Sequence, residues 1–479
     1  MNKSSIRVRF APSPTGMMHL GGVRTALLNY LFAQHHNGSF IIRLEDTDQQ
    51  RDVDPRGVKI LEDLHWLGIE HDEGPDCGGP YASYIQSERS EIYTHMLNTL
   101  IATHHVYRCF CSQEELEKKR ERQIALKLPP RYDRTCADLS EAEINERLAR
   151  KAPFIWRFKL DQTKKITIQD MSHGAIQFDM ANFSDFPLTR QDGSFTFIFA
   201  NFVDDLTMKM SHVIRGEDHL SNTASQAALY DACGATLPLF WHLPIICSTD
   251  GKKLSKRDFG FSLRDLIAAG FLPEALCNYL GILGASFPQE IMSLEELAKA
   301  YPFEHLSTTG HIKYDVEKLR WVNHKWINRL TAAEVASRAL PFLVAAYPAA
   351  AQIEPARLEQ LIALVQTDMI TLSDAATALT FYFERPTKPS AEELTALAGE
   401  HLGVLRTLVT QHDKLLAEPT VFAQNIKQSA TEQKIPLKVV FSTLRRALQG
   451  TTHGLALHDL VAMLGEKEAR ARLNDMLAQ

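Results

Sequence analysis

Two short segments carry residue types suited to handling phosphate. Lys252, Lys253, Lys256 and Arg257 crowd together beside the turn-forming pair Asp250-Gly251. A basic loop of this kind can close over a polyphosphate and neutralise the charge that develops as pyrophosphate leaves. Far upstream, His19-Leu20-Gly21-Gly22 stands where a helix begins. Glycines without Cβ let a ligand approach the backbone, and a helix N-terminus offers free N–H groups to an anion. His19 can donate to a phosphate oxygen without carrying a permanent charge. Taken singly, each segment also fits an ordinary surface turn. Together they describe a grip on a nucleoside triphosphate from two sides.

Cysteine supplies a second chemistry. Cys109 and Cys111, with Cys136 across a loop, make an S₃ set that can reach one Zn²⁺. The same residues also fit reduced, buried thiols, since no further Cys or His lies at close spacing. Cys77, Cys233, Cys247 and Cys277 are expected to pack as small hydrophobes. An odd number of unevenly spread cysteines, in a chain too large to need staples, points to reduced thiols in the cytoplasm.

These groups need elements to position them. Ile6 to Phe10 reads as a strand, Ala11 to Gly16 as a loop, and a helix follows from about Gly22. Phe40 to Leu44 reads as a second strand, which completes a βαβ unit and implies a parallel sheet with helices on its faces. A further helix is expected from about Arg56 to Leu67. From 101 to 195 the texture changes to charged runs, Pro129-Pro130 and β-like segments such as Phe154 to Leu160, which reads as an insertion rather than a continuation of the sheet. Strand-like texture returns at Phe195 to Phe202 and at His212 to Arg215. From about 323 the chain is Ala/Leu-rich and helical.

The 479 residues imply three or four domains, and the N-terminal residues lack the apolar core of a signal peptide. No apolar run is long enough to cross a bilayer. The formal net charge of −6 means that any nucleic-acid contact must come from local basic patches.

The two phosphate segments resemble the paired signatures of the class I aminoacyl-tRNA synthetases. Wider motifs narrow the likeness to bacterial glutamyl-tRNA synthetases: Arg7 to Gly16, Arg43-Leu44-Glu45-Asp46-Thr47-Asp48, Gln86-Ser87-Glu88-Arg89, Val203-Asp204-Asp205, and His212 to His219. The likeness is close and ordered from residue 6 to about 330, and looser to the C-terminus, where Leu444-Arg445-Arg446-Ala447-Leu448 and Gly450 fit. Glutaminyl enzymes fit less well: Ser13 and Thr15 stand where theirs usually have an acidic residue and Asn, and their anticodon module is a β-barrel. The resemblance implies an α/β Rossmann-type catalytic domain split by an α+β insertion, then a stem-contact region and an all-α C-terminal anticodon-binding part. In this chain those parts would be 1–100 and 196–250 for the catalytic halves, 101–195 for the acceptor-end insertion, 251–322 for the stem-contact domain and 323–479 for the anticodon-binding domain.

It also implies roles. Arg9 and Arg215 would take the carboxylates of glutamate, Glu45 its ammonium, and Ser13 and Asn201 would add neutral hydrogen bonds. Phe197 stands where the family generally has Tyr, so a ring is kept and a hydroxyl lost. ATP with Mg²⁺ would be held by His19, Gly21, Gly22, Lys253, Ser255 and Lys256, with His19, Lys253 and Lys256 bearing on the transferring phosphates. A structural zinc would be held by Cys109, Cys111, Cys136 and Tyr132, which matches a ligand position in some relatives, as Asp138 matches one sometimes held by His. The activity implied is glutamyl-adenylate formation followed by transfer to tRNA(Glu), usually only once tRNA is bound, in a monomer. Asp368 precedes Thr371-Leu372 where a basic residue is common, and charging of tRNA(Gln) as well stays open.

Overall fold

The computed structural model describes residues 3–14, 16–47, 53–248, 250–252, 254, 259–304, 306 and 312–477. They form two compact units: Met1–Leu266 with Pro273–Leu319, and Ile267–Leu272 with Arg320–Gln479.

The first unit opens as the sequence implies. Strand β1 (Arg7–Phe10) leads through a loop to helix α1 (Leu20–His35) and on to β2 (Ser39–Ile42), parallel to β1 with Arg7 opposite Ser39. Both strands are almost wholly buried, as expected of a sheet covered on both faces. Helices α2 (Val58–Trp66) and α3 (Ser90–Ala102) follow. Strands β3 (Val106–Cys109) and β4 (Ile155–Phe158) pair antiparallel, and between them lie α4 (Gln113–Ala125) and α5 (Glu141–Ala149). Each of these two helices starts at a serine capping box, Ser112 with Glu115 and Ser140 with Glu143.

Strands β5 (Lys165–Asp170) and β6 (Gly174–Asp179) form a hairpin. Helix α6 (Phe197–Thr207), strand β7 (His212–Gly216), helix α7 (Leu220–Ala232) and strand β8 (Leu239–Leu243) complete a four-stranded sheet ordered β6-β5-β8-β7. Two expectations are corrected here. Residues 101–195 are not wholly outside the sheet, because β5 pairs parallel with β8 at Asp170 and Phe240. And Phe195 to Phe202 is not a strand. Its aromatic and β-branched residues suit a strand, but Asn201, Asp204 and Asp205 recur at helical spacing, and all three are buried. Satisfying buried polar groups on one face outweighs local propensity.

Phe199, Phe202, Val203, Ala227, Leu229 and Phe240 fill the core between α6, α7 and the sheet. The Ser211 amide donates to the Arg7 carbonyl at 3.0 Å, which lays β1 alongside β7. The C-terminal ends of β1, β7 and β8 thereby open on one crevice, the usual ligand side of an α/β sheet.

The second unit is helical, with no strand among its described residues. Its pattern is legible in Leu437–Leu448, where Val440, Thr443, Leu444, Ala447 and Leu448 form one buried stripe. Ile267–Leu272 is tied into this unit by the Leu272 amide on Asn323 Oδ1 (2.8 Å), by Ser373 Oγ on the Ala269 carbonyl (3.0 Å), and by the Leu372 amide on the Gly270 carbonyl (2.9 Å). Gly270 has φ +83°, and a Cβ there would lie 2.6 Å from the Ser373 nitrogen. Asp368 is an exposed residue. Among the described residues no helix is long and apolar enough to cross a membrane.

Candidate active site

A cavity of about 680 Å³ opens at these strand ends. Its walls include Arg9, Ser13, His19, Gly21, Gly22, Glu45, Phe197, Asn201 and Arg215, so the site residues expected from positions 9 to 215 converge on one space. Lys253, Ser255 and Lys256 lie outside the described residues, and so does Arg257. Leu254 within that segment, and residues 259–304 after it, are described. Leu254 lines the cavity and donates its amide to the Ile246 carbonyl at 3.2 Å. Beyond the segment, Ser262 bridges antiparallel to His19, while Leu20 donates to the Phe261 carbonyl and Leu263 to that of Met18, both at 3.0 Å. The stretch after the basic segment, Phe261 to Leu263, is therefore anchored beside the start of α1.

His19 is the N-cap of α1. Its extended backbone (φ −95°, ψ 161°) turns the ring back so that Nδ1 accepts the Gly22 amide at 3.1 Å. That bond leaves the proton on Nε2, and the ring stacks on Phe261 at 5.6 Å between centroids. A Cβ on Gly21 would sit 3.1 Å from His19 Nδ1, so the bare glycine makes room for the histidine ring.

The opposite wall is a buried polar network. Arg9 binds Asp205 through Nε and Nη2 at 2.9 and 3.1 Å, and Arg43 Nη1 reaches the same carboxylate at 2.7 Å. Burial works to raise the Asp205 pKa, but Arg9 and Arg43 together hold it down at about 2. Asp204, one residue earlier on α6, accepts from Arg89, Gln86 and Tyr93. Arg43 also donates to Glu45 at 3.2 Å, and Asn201 Nδ2 donates to the same Glu45 oxygen. Glu45 nevertheless has a raised pKa, because burial outweighs Arg43, Arg9 and Asn201.

Arg215 is different. It is 6% exposed, has no carboxylate within 4 Å among the described residues, and donates through Nη2 to Thr223 (2.7 Å) and Gln226 (2.6 Å). Its Nε and Nη1 are buried without a hydrogen-bond partner among the described residues. Burial, and then Arg9, press its pKa downward. Such a cation is poised for an anion from outside the protein. His219, on the same wall, has its pKa pushed to about 4 by burial and by Arg215, and is neutral at neutral pH. Phe197 faces it, ring centroids 5.6 Å apart.

The cysteine set also comes together. The sulfurs of Cys109, Cys111 and Cys136 lie within 4.8 Å of one another, and Tyr132 Oη sits 3.3 Å from Cys109 Sγ and 3.7 Å from Cys111 Sγ. Hydrogen bonding from Cys136 and Tyr132 holds the Cys109 thiol well below its ordinary range, and thiolate character suits a metal ligand. All seven cysteines are free thiols. Cys77, expected to pack as a small hydrophobe, is exposed instead, on a loop beside Asp76 and His71.

Sequence reasoning assigned no part to Thr223, Gln226, His242 or Asp170, which form the polar backing of Arg215. The one available signal was the pair Thr223 and Gln226, three apart on a helix otherwise rich in alanine. Arg43 and Asp205 lay inside quoted motifs but without roles.

The family model described as "tRNA synthetases class I (E and Q), catalytic domain" matches residues 5–321, and an "Anticodon binding domain" model matches 334–477. A glutamate–tRNA ligase of Desulforudis audaxviator is 39% identical, over 99% of this chain and 96% of its own. One from Carboxydothermus hydrogenoformans is 36% identical, over 98% of this chain and 99% of its own. The crystal structure of a glutamate tRNA ligase from Elizabethkingia meningosepticum, in complex with its amino acid, superposes with a TM-score of 0.89 at 31% identity, covering 99% of this chain and 100% of that one. The chain belongs to the class I tRNA synthetases of the E and Q group.

Proposed function

We propose that this chain is a glutamate–tRNA ligase, joining L-glutamate to the terminal adenosine of tRNA(Glu) at the expense of ATP. The full-length relatives bear that name, and the observation that carries the reading here is Arg215. A buried guanidinium with two nitrogens, Nε and Nη1, that have no partner among the described residues, in a cavity with Glu45 on the same polar wall, calls for a ligand with both carboxylate and ammonium groups. Arg215 and Arg9 would bind the carboxylates, and Glu45 the ammonium, which would also relieve the cost of its burial.

The α-carboxylate then attacks the α-phosphorus of ATP in line, forming the mixed anhydride and releasing pyrophosphate. Nothing in this step needs a covalent protein intermediate; positioning and charge stabilisation are enough. His19 Nε2 would donate to a phosphate oxygen at the N-terminus of α1, with Gly21 and Gly22 alongside, and Lys253, Ser255 and Lys256 would act from the basic loop. Enzymes of this class use ATP with Mg²⁺, which shields phosphate charge. Of the acidic residues on the cavity wall, Glu45 is engaged by Arg43 and Asn201, and Asp218 is the other. In the second step the 2′-hydroxyl of the tRNA adenosine attacks the anhydride carbonyl and AMP leaves.

Cys109, Cys111, Cys136 and Tyr132 would hold a structural Zn²⁺, a three-sulfur and one-oxygen set of tetrahedral number. The ion would fix the loop between β3 and β4 and take no part in the reaction.

The experiment is ATP–pyrophosphate exchange with glutamate, with and without tRNA, followed by aminoacylation of purified tRNA(Glu) and tRNA(Gln) side by side. Charging of tRNA(Glu) alone defines a discriminating enzyme, and charging of both a non-discriminating one. Charging of neither overturns the reading.

A further inference from the structure

Gln226 lies one turn beyond Thr223 on α7, 2% exposed, behind the residues that line the cavity. Its amide could in principle point either way. Here both ends of the chain of bonds fix it. A guanidinium has only donors, so the atom 2.6 Å from Arg215 Nη2 is the Gln226 oxygen. Its Nε2 therefore points at Asn201 and donates to Oδ1 at 2.7 Å. Asn201 Nδ2, which can only donate, is then left to face the Glu45 carboxyl oxygen. Every bond runs in one direction, from Arg215 to Glu45.

The far side of Arg215 is fixed in the same manner. Asp170 Oδ2 holds the Nδ1 proton of His242 at 2.7 Å, which leaves Nε2 an acceptor for the Thr223 hydroxyl at 2.8 Å. Thr223 Oγ1 thus presents lone pairs to Arg215. Asp170 is kept ionised: burial opposes this, but the bonds from His242 and His173 lower its pKa strongly.

We infer that Gln226 is a positioning residue for amino-acid recognition. It couples Arg215 to Glu45 through Asn201, so that the group reading a substrate carboxylate and the group reading its ammonium keep one mutual geometry. This rests on the glutamate reading of the cavity and deepens it.

Two variants of the full chain test the coupling. Gln226→Glu keeps an oxygen for Arg215 but cannot donate to Asn201, and it gives Arg215 an internal anion that competes with the substrate. Gln226→Met keeps the volume and makes neither bond. In tRNA-supported pyrophosphate exchange, both should raise the KM for glutamate about tenfold or more, the factor that one charge-assisted bond supplies, while the KM for ATP stays within about twofold. Gln226→Glu should also leave the thermal midpoint at or above that of the wild type, because it pairs a buried cation. A residue with only a structural part would lower the midpoint and move both KM values together. The inference is overturned if glutamate KM stays within about twofold in both variants, or if ATP KM rises in step with it. Absence of glutamate-dependent exchange in the wild type is a separate result, and overturns the functional reading instead.

Discussion

Asp205 clasps Arg9 through both carboxylate oxygens, at 2.9 and 3.1 Å, and the pair is out of water. Arg43 shares the same carboxylate at 2.7 Å. One acidic residue on α6 therefore sets the orientation of a cavity arginine while neutralising a second one behind it. Asp205→Asn should cost about 3–5 kcal/mol, because two buried cations lose their common counter-charge. The difference from wild type should be full above roughly pH 4, near the pKa of an unfolded aspartate, and shrink as pH falls toward about 2, where the folded carboxyl takes up its proton. Chemical denaturation of both proteins across that range measures it.

Arg215→Lys keeps a charge but loses the flat fork of donors. Glutamate activation should fall at least about a hundredfold, the scale of about 3 kcal/mol for a lost charge-assisted pair. The KM for ATP should hold. Near-normal glutamate kinetics in this variant would remove Arg215 from carboxylate recognition.

His19 caps α1 through Nδ1, and its proposed part in phosphate binding uses the other nitrogen, Nε2. His19→Asn retains a good cap, so stability should change by no more than about 0.5 kcal/mol. Adenylate formation should nevertheless drop about a hundredfold or more, as when one donor to a developing negative charge is deleted. Equal losses of stability and rate would mean that capping accounts for both.

Phe197→Tyr restores a hydroxyl to the cavity wall near His219. The KM for glutamate should fall by about tenfold or more, given about 1.5–3 kcal/mol for a hydrogen bond to a charged group. No change in kcat or KM would show that the hydroxyl finds no partner there.

Elemental analysis should find one zinc per chain, lost in Cys109→Ser together with part of the thermal midpoint. A metal-free preparation with full activity and unchanged midpoint would refute the site.

What could be read from the residues alone followed spacing: His19 before two glycines and Cys109-x-Cys111 lie close together along the chain. Arg9 and Arg215 were assigned only through the resemblance. The Arg215–Gln226–Asn201–Glu45 chain joins residues of β7, α7, α6 and the segment after β2, so only the packed sheet places them in order. The helix at Phe197–Thr207 was misread for a related reason. Its propensity points to a strand, and the reason to coil lies in the arginines that Asp204 and Asp205 must meet. β5 likewise joins the sheet through contacts with β8 that its own alternating pattern does not reveal.

The stretch Ile267–Leu272 has a consequence for dissecting the molecule. It belongs with the helical unit, yet the chain returns to the first unit for Pro273–Leu319 before coming back. No single cut by a protease or a stop codon releases the helices whole. Truncation after Leu319 would leave a stub whose Leu272 amide loses Asn323, and whose Gly270 and Ala269 carbonyls lose Leu372 and Ser373. At about 0.5–1.5 kcal/mol for each hydrogen bond lost, both separated pieces would be less stable than the same parts in the whole chain.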